Sequence, residues 1–120
     1  MMVFLLRFVF PCIQSCTALI GAVVLVYREG TLGTSYAASY IQTCNAAVRT
    51  MRDMNLKVID IKRDGTRGNI EAEKADGARV NTTVKPLDPD ITSVEIRVGR
   101  LGDEKTSRKI ERKIRARLRE

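Results

Sequence analysis

The sequence predicts an α+β fold. It reads as an antiparallel four- to five-stranded meander with two helices packed on one face, in the order (β)-α-β-β-β-β-α, preceded by an N-terminal signal or membrane segment. Three observations predict it. Apolar residues recur at spacings of four and three from Ala37 to Met51, the stripe of an amphipathic helix. Between Leu56 and Gly99, β-branched runs alternate with polar residues and are separated by turn dipeptides. In the charged final segment, Ile110, Ile114 and Leu118 recur every fourth residue, a second helical stripe.

The chain opens with apolar sequence. Phe8 to Tyr27 is 20 residues without a charge, long enough for a bilayer-spanning helix, with Pro11 and Gln14 as its breaks. The same stretch has a second reading. Met1 to Ser15 forms a short basic and apolar leader, and Ile13-Gln14-Ser15-Cys16 approximates a lipobox whose Cys16 becomes the first mature residue. A thiol held at the membrane interface is alkylated by diacylglycerol, the preceding peptide bond is cut, and two or three acyl chains (palmitate among them) then hold the protein. Ile13 and Ser15 fit that pattern, while Gln14, Arg7 and Pro11 do not. The residues alone leave an anchored Cys16 and an uncleaved span evenly matched. Either way the chain divides into a segment 1–30 and a single α+β domain 31–120.

Thr31 to Tyr36 is a short strand or extended lead-in, and Ser35 is placed to cap the helix that follows. Ala37, Ile41, Cys44, Val48 and Met51 form its buried stripe, with Arg49, Arg52 and Asp53 off it, and Asn55 suits a left-handed C-terminal residue. Leu56–Lys62 is a strand ending at the turn signal Asp64-Gly65. Asn69–Ala75 places Ile70 and Ala72 on one face, and Asp76-Gly77 is a two-residue hairpin signal. Val80, Thr82 and Val84 then alternate with Arg79, Asn81, Thr83 and Lys85. The corner Pro86–Asp90 breaks the ladder, because a proline donates no backbone hydrogen bond. Thr92, Val94, Ile96 and Val98 face inward on the last strand. Asp103 caps the final helix, with Glu104 in its first turn. Val94, Ile96, Val98, Ile110 and Ile114 are the expected core.

Charge and composition narrow the function. There are 21 Lys and Arg against 14 Asp and Glu, a net charge of +7 that favours anionic partners. His is absent, which removes the commonest general base and metal ligand. The three cysteines have no metal-ligand spacing, so no cofactor and no metal are expected. With no nucleophile–base pair visible, the chain is not expected to be an enzyme. Cys44, on the helical stripe, reads as a small core hydrophobe. Glu71, Glu73 and Glu95 read as a solvated sheet face beside Arg79 and Lys85. Arg97, Arg100 and Asp103 cluster at a glycine-flanked turn before the last helix, an anion site or a capped turn, and Asp103 already fills the anion position. The final helix carries Lys105, Arg108, Lys109, Arg112, Lys113 and Arg115, followed by Arg117 and Arg119, a basic face for an anionic surface. No aromatic follows Tyr40, so base stacking has no residues there and nucleic acid is not the expected partner.

Cys16 followed by a small and aliphatic run ending in "YREG", then "TSYAASYIQTCNAAVRTMRDMNLKV", "RDGTRGNIEAEKADGARVNTTVKPL" and above all "TSVEIRVGRLGDEKTSRKIERKI", resembles a family of small bacterial lipoproteins known as domain of unknown function 3568. The resemblance covers most of the chain. It implies a lipidated Cys16 and a domain tethered to the membrane on the periplasmic or extracytoplasmic side of the cell envelope. The family has no assigned activity; the expectation drawn for this chain is a non-enzymatic binding or structural module that engages an envelope protein or anionic polymer. Thr17 after the cysteine is compatible with delivery to an outer membrane. The alternative is a single-span membrane protein whose basic domain contacts anionic lipid or nucleic acid; Arg28, next to the segment, leaves topology open.

Overall fold

A computed structural model describes residues 25–119; the lipobox with Cys16, and the bulk of the apolar segment, lie outside the described residues. Among the described residues six strands and two helices follow one another. They are β1 (Val26–Arg28), β2 (Thr31–Tyr36), α1 (Tyr40–Asp53), β3 (Lys57–Arg63), β4 (Gly68–Glu73), β5 (Arg79–Asp88), β6 (Ile91–Val98) and α2 (Glu104–Leu118). All strand pairs are antiparallel, in the spatial order β1-β2-β6-β5-β4-β3.

The α+β class holds, with six strands where four or five are expected. The extra strand is Val26–Arg28, within the stretch expected to belong to the N-terminal segment. Val26 and Tyr27 look like the tail of the apolar run, yet Glu29 (φ 50°) and Gly30 (φ 84°) form a two-residue turn that folds them back on Gly33 and Leu32. Two positive φ values match the twist of a tight hairpin. Nor is the sheet one meander. β3 to β6 run as a meander, while the β1–β2 hairpin docks on the far side of β6, with Leu32 opposite Ile96 and Thr34 opposite Val94.

Alternation puts one face of every central strand inside. Leu32, Thr34 and Tyr36, Ile70 and Ala72, Val80, Thr82 and Val84, and Thr92, Val94, Ile96 and Val98 are all buried. Both helices cover this face and pack on each other, α1 mainly over β3, β4 and β5, α2 over β2 and β6. The five residues expected in the core, Val94, Ile96, Val98, Ile110 and Ile114, are all within it.

Three local expectations are corrected. The α1 cap is Ser39, not Ser35, because Ser35 and Tyr36 stay in the β2–β6 ladder. Ser39 Oγ accepts from the Gln42 N–H (3.2 Å) while Gln42 Oε1 accepts from the Ser39 N–H (3.2 Å), a reciprocal capping box. Starting there turns Ile41 outward, 61% exposed, and buries Thr43, Ala46, Ala47 and Thr50 instead. At the other end Asn55 takes φ 61°, and the Leu56 N–H reaches the Met51 carbonyl (3.0 Å), closing a Schellman motif. Asp76-Gly77 belongs to a three-residue loop, in which the Lys74 and Gly77 N–H groups donate to the carbonyls of Ala78 and Lys74. Finally, β5 runs through Pro86, which pairs with Thr92 before a register shift. β4 ends opposite Val84, so no neighbour on that side needs the N–H that Pro86 lacks.

Candidate functional site

Helix α2 is oriented by what it buries. Asp103 caps it, its carboxylate accepting from the Thr106 N–H (3.1 Å) and hydroxyl (2.7 Å). Those hydrogen bonds hold the Asp103 carboxyl below its ordinary range. Ser107, Ile110, Glu111 and Ile114 face the sheet and α1. With a turn of 3.6 residues, Lys105, Lys109, Arg112 and Lys113 must then share the outward side, and all four are exposed. None of the four takes part in an ion pair among the described residues. The other two residues of the predicted basic face do. Arg108 pairs with Glu104 at 2.8 Å, and Arg115 lies 3.4 Å from Glu111. Four of the six candidates thus form one cationic stripe, and two serve the helix itself.

The turn before α2 is a structural corner. The Arg97 guanidinium donates to the Glu29 carbonyl (2.7 Å) and to the Arg100 carbonyl, tying the β1–β2 turn to the β6–α2 turn. Its two terminal nitrogens each donate to a backbone carbonyl, and Asp103 lies 3.8 Å from Lys74. Arg97 thus holds the corner together, and the Asp103 carboxylate occupies the helix N-terminus, which favours the capped turn over the anion site. On the open sheet face Arg79 bridges Glu71 (2.7 Å) and Glu73 (3.5 Å), and Glu95 stays exposed, a solvated face. Cys44 is 2% exposed in the core, and burial pushes its thiol up, away from the reactive thiolate.

Two features escaped the sequence reading. Glu111 is wholly buried beneath α2, where its carboxylate accepts from the Tyr36 hydroxyl at 3.1 Å. Burial first, and the Glu111 charge second, push the Tyr36 phenol far above its ordinary range. The signal was a glutamate at the i+4 position from inward Ser107 and three before Ile114, on the apolar side of the stripe. The second feature is a groove of about 750 Å³ where the exposed flank of α1, strand β3 and the end of α2 meet. Arg49 and Arg52 of α1, Arg63 of β3 and Arg117 of α2 line it, beside Ile61 and Leu118. Arg49 and Arg52 were legible as off-stripe residues. That Arg63 joins them depends on tertiary packing.

Among known proteins, a family model described as a protein of unknown function (DUF3568) matches residues 1–117. No curated protein matches the chain.

Proposed function

The chain belongs to this family of proteins of unknown function, DUF3568, and from that premise we propose that it is a membrane-anchored bacterial envelope lipoprotein, acylated at Cys16, whose domain is a non-enzymatic binding or structural module. What supports the reading is the placement of the cationic stripe relative to the tether. β1 brings the chain into the sheet edge at Val26, and α2 packs over β2 and β6 on that same side. Residues 17–25 separate Cys16 from β1; nine extended residues reach at most about 30 Å. A tether that short keeps Lys105, Lys109, Arg112 and Lys113 near anionic headgroups, where each basic residue contributes about 1 kcal/mol to surface attraction. Among the described residues no helix is long and apolar enough to cross a membrane, so anchoring falls to the segment before them.

The test is the intact mass of the membrane-extracted protein, wild type beside Cys16→Ala. The proposal expects a mature species beginning at residue 16 with diacylglycerol mass, lost in the variant. A full-length, unmodified species that ignores the substitution would instead support the single-span alternative. The stripe is tested separately by acetylation of lysines in the full chain reconstituted in vesicles. Lys105, Lys109 and Lys113 should be protected in anionic vesicles and not in zwitterionic ones.

A further inference from the structure

The arginine groove lies apart from the α2 stripe, and nothing in the anchoring reading uses it. Three of its four arginines are uncompensated. Among the described residues Arg49, Arg52 and Arg63 take part in no ion pair and no carboxylate lines the groove, while Arg117 pairs with Asp53. The flank beside them is a free sheet edge. β3 is the last strand in the order and, among the described residues, pairs only with β4, so its outer backbone N–H and C=O groups face no described strand. Such an edge is a template for a further strand.

The register says which side chains an added strand would meet. Ile61 and Arg63 lie opposite Ile70 and Gly68 on the helix side, and both line the groove. Asp60 and Lys62 point to the open face and pair with each other at 3.8 Å. A strand laid along β3 would therefore turn every second side chain toward Arg63 and the α1 flank bearing Arg49 and Arg52. Guanidinium groups recognise carboxylates by paired, charge-assisted hydrogen bonds. Ile61, 44% exposed, and Leu118 offer apolar contact for the aliphatic stems between those carboxylates. The register shift between Val58 and Asp60 interrupts β3, leaving Asp60–Arg63 as the uninterrupted run beside the groove, so the segment is short.

We propose that the β3 edge and the arginine groove form one docking site for a short acidic peptide segment of a partner protein, bound extended beside β3 with alternate carboxylates facing Arg49, Arg52 and Arg63. The site does not depend on how the chain is anchored.

The test uses the full chain in non-ionic detergent and a blocked peptide of about ten residues alternating Glu and Val, carrying a neutral dye, with binding read by fluorescence anisotropy. Saturable binding is expected, weakened about tenfold or more by Arg49→Glu with Arg52→Glu and changed less than about twofold by Lys109→Glu with Lys113→Glu. Methylating alternate backbone nitrogens of the peptide should weaken it comparably, since strand addition needs those donors. Far-UV circular dichroism checks each variant; Arg49→Gln with Arg52→Gln replaces the reversal should that pair not fold. The proposal is overturned by no saturable binding, by equal binding of a Lys–Val peptide, or by equal loss in the stripe variant. Undiminished binding of the methylated peptide would also overturn it. So would binding of tripolyphosphate without the peptide, which would make the groove a small-anion site.

Discussion

Glu111 is the residue whose surroundings decide most. A carboxylate with no exposure costs several kcal/mol to bury unless it is paired, and its partners here are the Tyr36 hydroxyl at 3.1 Å and Arg115 at 3.4 Å. Tyr36→Phe removes the hydroxyl donor and should lower stability by about 1–3 kcal/mol, read from urea unfolding. Arg115→Ala should cost about 1–3 kcal/mol, below the usual figure for breaking a buried pair because the Arg115 side chain is 28% exposed and partly screened. The Tyr36 phenol also sets an alkaline limit. Its folded pKa lies above the unfolded value, so its contribution is complete below about pH 10 and is lost as pH rises beyond it, at up to about 1.4 kcal/mol per unit. Comparing urea midpoints of the wild type and Tyr36→Phe between about pH 9 and about pH 11 isolates that slope. A wild-type curve parallel to that of the variant would contradict it.

At the scale of elements, the corner joining β1–β2 to α2 carries a demand that only glycine meets. Gly102 sits at φ 86°, and a Cβ there would strike the Gly30 backbone and the Tyr27 hydroxyl. Left-handed backbone costs a non-glycine residue about 1–3 kcal/mol before any clash. Gly102→Ala should therefore destabilise by more than about 2 kcal/mol in thermal unfolding, and the β1–β2 amides should lose hydrogen-exchange protection first. The neighbouring cap is a smaller effect. Asp103→Ala should cost about 1 kcal/mol. Because the Asp103 carboxyl is held below its ordinary range, that contribution is present above about pH 4 and fades as pH falls through the folded value. The caps at Asp103 and Asn55 were legible because capping joins residues a few positions apart. The Ser39 cap was missed because pairing of Ser35 and Tyr36 with Ser93 and Thr92 overrides the local signal.

Across the whole molecule one core joins sheet and helices, so damage on either layer should be felt by both. Ile96 of β6 and Ile114 of α2 are fully buried in the same cluster. Ile96→Ala and Ile114→Ala should each cost about 2–5 kcal/mol in a single cooperative urea transition. Separate transitions for helix and sheet signals would show that the two layers are not one unit. The sequence by itself determined which residues of β4, β5 and β6 face inward, the two helices, four of the strands and the cationic side of α2. Those follow from periods of two and 3.6 and from caps, all within a few residues. Only the tertiary structure decided that the β1–β2 hairpin docks on β6, that Glu111 lies buried against Tyr36 75 positions away, and that Arg63 meets Arg49 and Arg52 in one groove. Contacts at that separation depend on how the layers close over the shared core, and local pattern carries no record of it.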